Sequence, residues 1–218
     1  VNRFEAVLFD FGGVFIDSPF AAAETGAAEL GVPFEQLSGI VFGPYDRDTD
    51  HPWHRLERGE LDLRAARREI GRLAREAGIE GLDPLGVLAS LATSGGVREF
   101  VVDLVREVRA SGRRTGIVTN NVAEFGTYWR SMLPLDELFD DVVDSSEVGL
   151  RKPSPEIFHL ACERLEVTAE RAVFLDDFEG NVAGARAAGL HAICCGLTVE
   201  TTAEAVGTLR RLLGLSAG

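Results

Sequence analysis

Phe4-Glu5-Ala6-Val7-Leu8-Phe9-Asp10-Phe11-Gly12-Gly13 is the stretch on which the reading of the fold turns. Residues 4–9 make a short, apolar, strand-like run, which stops at Asp10 and enters a Gly12-Gly13 turn. A strand that ends on a carboxylate and opens into a flexible loop is the first signal of an α/β protein with its chemistry at a sheet edge.

Outward from that strand the chain turns helical. Between Ser18 and about Thr93, segments near 20–30, 34–42, 61–77 and 84–92 space their apolar residues three and four apart. Gly31, Pro33, Gly43-Pro44, Gly59, Gly78 and Pro84 punctuate them. In the third segment Leu61, Ala65, Ile70, Leu73 and Ala77 are expected on one face, with Arg64, Arg67, Arg68, Arg72 and Arg75 as a solvated stripe on the other. After Gly95 helix and strand alternate: helices at 97–110, 123–132, 155–165, 180–188 and about 200–213, strands at 115–119, 141–143, 172–175 and 191–194. Short apolar runs separated by amphipathic helices imply a parallel sheet covered on both faces. The expectation is a doubly wound, Rossmann-like α/β core over residues 1–15 and 95–218, with a small helical cap, 16–94, inserted between.

The composition sets the bounds. The 218 residues are 45% hydrophobic and 26% charged, which suits one full core with a small appended domain. No run of about 18 apolar residues occurs, so no membrane span is expected. Glu5 inside the first apolar stretch and the lack of a small-residue cleavage site argue against a secretory signal, and a cytoplasmic location is the expectation. A net charge of -13 is the wrong sign for a nucleic-acid binder or an anionic-membrane clamp. Cys162, Cys194 and Cys195 follow neither zinc nor disulfide spacing and read as small buried hydrophobes. Of the 22 basic residues 21 are arginine; the one lysine is Lys152.

Four groups of polar residues fall at the ends of the expected strands: Asp10; Thr119-Asn120-Asn121; Lys152 in the loop Leu150-Arg151-Lys152-Pro153; and Asp176-Asp177, followed by Asn181. Singly, Asp and Asn are ordinary cap and loop residues. Together they suit phosphoryl transfer through a carboxylate, in which a cation and a lysine must neutralise an anionic ester. Asp10 is then the candidate nucleophile. Asp176, assisted by Asp177, supplies hard oxygen ligands of the kind Mg²⁺ prefers. Lys152 is the point charge bonded to nucleophile and phosphate, in a chain that elsewhere writes arginine. Thr119 and the Gly12-Gly13 backbone offer donors to phosphate oxygens, with Asn120 and Asn121 as further substrate contacts.

LFDFGGV at 8–14, IVTNN at 117–121, GLRKPSPEIF at 149–158 and VFLDDFEGNVAGARAAG at 173–189 together resemble the four signature motifs of the haloacid dehalogenase-like hydrolases. The helical block after the first strand looks like their small helical cap. His54-Arg55-Leu56-Glu57-Arg58-Gly59-Glu60 and the Arg-Lys-Pro turn are similar to the branch holding sugar-1-phosphate phosphatases and the phosphatase domain of soluble epoxide hydrolases. The resemblance implies a Mg²⁺-dependent hydrolase of a small phosphate ester, working through an aspartyl-phosphate, with the carbonyl of Gly12 as a further metal ligand. One departure stands out: most phosphatases of the family carry a second Asp where this chain has Gly12, and that Asp serves as general acid and base. Two alternatives follow, a phospholigand-binding module without turnover and a 2-haloacid dehalogenase, the latter disfavoured because Asp176 and Asp177 without a metal would crowd Asp10 with like charge.

Within the cap, the stretch from Tyr45 to His54 reads as loop and cap contacts rather than a second metal site. Trp53 and Phe42 read as packing residues. Asp17 is either a substitute acid or a helix entry residue.

Overall fold

A computed structural model describes residues 3–83 and 96–215. Its first strand, β1 (Ala6–Phe9), is fully buried and lies at the centre of a five-stranded sheet with β2 (Arg114–Thr119), β3 (Asp141–Asp144), β4 (Ala172–Asp176) and β5 (His191–Cys194). All pairings are parallel and the order is β3-β2-β1-β4-β5. After β1 the described residues up to Asp83 hold helices and no strand: α1 (Pro19–Leu30), α2 (Phe34–Val41), α3 (Pro52–Glu57) and α4 (Leu63–Glu76). The segment expected as a helix at 84–92 lies outside the described residues.

Strand alternation divides the core in two. Val7, Phe9, Ile117, Val173 and Leu175 point to one face, where α5 (Glu99–Ala110) and α11 (Val199–Leu213) cover them. Ala6, Leu8, Val118, Ala172 and Phe174 point to the other, under α9 (Pro155–Arg164) and α10 (Glu179–Ala187). Helices on both faces make the sheet doubly wound. The insert has its own apolar cluster, built on Leu37, Val41, Phe42, Trp53, Leu56, Ala66 and Ile70. Phe42 and Trp53 are thus packing residues, as expected. No helix among the described residues is long and apolar enough to cross a membrane.

Several elements differ from the sequence expectation. The helix foreseen at 123–132 is a 3₁₀ turn, Ala123–Phe125, followed by one short helix, α6 (Gly126–Arg130). Two further single turns, α7 (Leu135–Leu138) and α8 (Ser145–Val148), were not anticipated. Nor was α3: Pro52 occupies its first turn, where a missing N–H costs nothing, and the His51 side chain accepts from Trp53 N at 3.2 Å. In α4, capped by Asp62 at Ala65 N (2.6 Å), the buried positions are Ala66, Ile70 and Ala74, four apart, while Ala77 is exposed. The arginine stripe does face outward. Cys162 and Cys195 are buried but Cys194 is only half so, and all three are free.

Candidate active site

The carboxyl ends of β1 and β4 lie side by side, since Phe9 pairs with Leu175 and Asp10 N donates to Leu175 O at 2.9 Å. This register brings Asp10 next to Asp176 and Asp177, and carboxylate oxygens of the three lie within 4.8 Å of one another. Lys152 reaches in from the loop after α8 and places Nζ 2.7 Å from Asp10 Oδ1 and 2.7 Å from Asp176 Oδ2. The ammonium is wholly enclosed, with the face of Phe174 5.4 Å away.

Each acid is held differently. Asp10 Oδ1 also accepts from Phe11 N at 2.7 Å, so among the described residues both of its contacts fall on one oxygen. Asp176 accepts from Phe178 N at 2.8 Å and from Asn181 Nδ2 at 3.1 Å to either oxygen. Asp177 Oδ2 is buried without a partner among the described residues. Gly13 makes room for it: φ is +74°, and a Cβ there would stand 2.1 Å from Asp177 Cγ. The left-handed glycine of this loop is therefore Gly13, whereas Gly12 is not among those with positive φ.

Burial pushes the Asp10 carboxyl up to about 7, against the opposing pull of Lys152 and with reinforcement from Asp176. Burial, Asp176 and Asp10 likewise hold Asp177 well above the carboxylate range. For Lys152 burial works against the charge, but Asp10 and Asp176 outweigh it and keep the ammonium above the ordinary lysine value. Three acids facing one cation are short of positive charge. An orphaned carboxylate oxygen amid hard oxygen donors suits a small divalent ion, so Asp10, Asp176 and Asp177 fit Mg²⁺.

The remaining strand-end residues are sorted by their contacts. Thr119 ends β2, buried at 2% exposure. Asn120 brackets the Lys152 backbone, accepting from its N–H at 2.8 Å and donating to its carbonyl at 3.0 Å. Asn121 Oδ1 accepts from Val122 N at 2.8 Å, and Asn121 N donates to Ser145 Oγ at 2.9 Å. Asp17 is paired with Arg98 at 3.2 Å. Arg98, at the start of α5, also donates to the carbonyls of Gly13 and Val14 and to Thr202 Oγ1, tying down the loop that follows Asp10.

Sequence reasoning missed a second buried cluster directly behind Lys152. Arg151, fully buried, donates through Nε to Glu57 Oε2 at 2.7 Å, and its guanidinium lies over the Tyr45 ring at 4.9 Å. Arg151 and Glu57 both fall in stretches that carry the family resemblance, but nothing in the sequence pairs them, since they stand 94 residues apart.

Sheet, loop and buried charge cluster together define a class, and the chain belongs to it: the haloacid dehalogenase-like hydrolases, whose family model matches residues 4–189. Among known proteins it is 36% identical over 218 residues to acyl-CoA dehydrogenase family member 10 of Mus musculus, a match covering 98% of this chain and 19% of that protein. The chain therefore spans about a fifth of that relative's length. It is 26% identical over 216 residues to the sesquiterpene phosphatase astK of Aspergillus oryzae, covering 98% of each. A haloacid dehalogenase family enzyme of Bacteroides thetaiotaomicron, solved with magnesium and inorganic phosphate, superposes with a TM-score of 0.60 at 18% identity, covering 89% of this chain and 95% of that one. At that identity the likeness is one of fold.

Proposed function

We propose that this hydrolase is a Mg²⁺-dependent phosphomonoesterase acting on a small phosphorylated metabolite. The observation that carries the reading is Lys152 Nζ at 2.7 Å from both Asp10 and Asp176, with Asp177 alongside, in a buried but not sealed cluster where Asp10 keeps 7% of its surface exposed. Relatives named as phosphatases, astK among them, support the substrate class.

In this reading Asp10 is the nucleophile, through Oδ2, the oxygen that takes neither the Lys152 nor the Phe11 contact. Its attack on phosphorus breaks the bond to the ester oxygen and leaves an aspartyl-phosphate. The departing alkoxide takes a proton from solvent, because Gly12 offers none and Asp17 is held by Arg98. A water then attacks the phosphorus, releasing inorganic phosphate and restoring Asp10. Lys152 neutralises charge on nucleophile and phosphate; Thr119 and the backbone N–H groups of Gly12 and Gly13 donate to phosphate oxygens. Asn120 serves by holding Lys152 rather than by touching substrate, and Asn121 by shaping the turn. Mg²⁺, held by Asp10, Asp176, Asp177 and the Gly12 carbonyl, supplies Lewis-acid charge stabilisation.

Gly12 favours one second reading, a module that binds phosphoesters without turning them over. A phosphate-release screen over many phosphomonoesters, with and without Mg²⁺ and with Asp10→Asn as control, separates the two. Release that requires Mg²⁺ and Asp10 supports the enzyme. Bound Mg²⁺ with no release from any ester supports the module, and halide release from 2-haloacids without metal would replace both.

A further inference from the structure

Glu57 and Arg151, 1% and 0% exposed, come from opposite sides of the boundary between insert and core. Glu57 ends α3; Arg151 immediately precedes Lys152. Besides Arg151 Nε on Oε2, Tyr45 OH and Trp53 Nε1 donate to Glu57 Oε1 at 2.6 and 2.8 Å. Asn120, just after β2, brackets the Lys152 backbone. The contacts form one continuous path: Tyr45 and Trp53 to Glu57, Glu57 to Arg151, along the chain to Lys152, and across to Asn120. Two more contacts, just after α3, seat this part of the insert on the core. Gly59 packs so near the carbonyl of Ser146 that a Cβ would stand 2.5 Å from it, and Glu124 accepts from Leu63 N at 2.7 Å.

We propose that Glu57 and Arg151 are positioning residues for Lys152, so that the insert sets where the core's lysine stands. A lysine side chain is flexible, and Nζ meets two acids at 2.7 Å only if its backbone is held. A buried ion pair adds little net stability over apolar packing of the same volume, but removing one partner strands the other charge. A buried polar network instead favours the one arrangement that pairs its members. Arg151 depends on Glu57 in particular: its Nη2 is buried without a partner among the described residues, and Nη1 has only the Arg47 carbonyl at 3.4 Å and Asp48 at 3.6 Å.

The sequence provides its own probe. Lys152 is the sole lysine, so isotope-labelled lysine gives a single side-chain NMR signal in the full chain. In Glu57→Gln that signal shifts and broadens. The kinetic arm rests on the phosphatase reading: with para-nitrophenyl phosphate and Mg²⁺, kcat falls at least about tenfold while KM stays within about threefold, as for an interaction felt mainly in the transition state. The double variant Glu57→Gln/Arg151→Met is no worse than the poorer single one, because the two residues act as a unit. An unmoved lysine signal in folded Glu57→Gln, or losses that simply add, overturn the proposal. Wild-type protein inactive on every ester counts against the phosphatase reading alone, and the lysine signal still decides this one. If Glu57→Gln does not fold, Tyr45→Phe takes one donor from Glu57 and leaves the ion pair; it is expected to shift the signal in the same direction by less, and no shift overturns the proposal.

Discussion

At the scale of single residues, Lys152 and the two loop glycines carry the sharpest tests. Lys152→Arg keeps the charge, but a planar fork does not fit an enclosed space that offers one point 2.7 Å from two acids. A loss of about 10²-fold or more in kcat/KM for para-nitrophenyl phosphate is expected, on the scale of losing one preorganised charged donor; a change of only twofold in a folded variant removes Lys152 from the mechanism. Gly12 and Gly13 should answer differently to a side chain. Gly13→Ala drives a methyl into Asp177 on a left-handed backbone and should abolish activity. Gly12→Asp meets no such backbone demand and, by supplying an acid, should raise turnover by up to about 10²-fold. The gain should be largest for alkyl phosphates, whose poor leaving groups most need a proton; equal gains for aryl and alkyl esters would exclude that role.

Among the elements, the strands and their polar ends were legible and α3 was not. Ala6–Phe9 and Ala172–Asp176 announce themselves because strands covered on both faces are continuously apolar, so a charged residue at the end of such a run is conspicuous. Asp10 and Asp176 could be picked out on that basis, and Lys152 as the one lysine of the sequence. Glu57, Arg151 and His54 stand out only as parts of motifs and their burial was not legible, since a charged or imidazole side chain in a polar stretch looks like surface until a distant partner buries it. His54, 0% exposed, accepts from Thr49 N at 3.0 Å through Nδ1. Burial, helped by the Arg151 cation, lowers His54 from 6.5 to about 3, and burial lowers His51 to about 4. The sign follows from proton counting. Between pH 6.5 and 4 the unfolded chain binds protons that the folded histidines refuse, so their contribution to stability is whole above about 6.5 and shrinks as the pH falls. Urea midpoints from pH 7 to 5 should therefore fall less steeply in His54→Gln than in the wild type. Taking the difference between the two curves removes Asp10, whose raised pKa acts in the opposite sense; parallel curves would mean that His54 is not held neutral.

For the whole molecule, the acid cluster makes folding and metal binding one equilibrium. A site assembled from β1 and β4 exists only in the folded chain, so Mg²⁺ at 100 times its Kd should add about 2.7 kcal/mol of stability. For a chain of this size that is roughly 5–10 °C in Tm. Asp176→Asn or Asp177→Asn should erase the Mg²⁺-dependent rise whatever happens to activity, and a rise that survives both would move the ion elsewhere. The sheet order has one more consequence, which concerns synthesis. β1 leaves the ribosome first, yet its neighbours are β2 and β4, and Asp10 finds its partners only at Lys152 and Asp176. At translation rates of about 5–20 residues per second, β1 waits about 10–30 s for β4. Throughout that interval the nascent chain exposes an apolar strand with at least one edge unpaired, and the acid cluster lacks Asp176 and Asp177, so the site is completed late, and all at once.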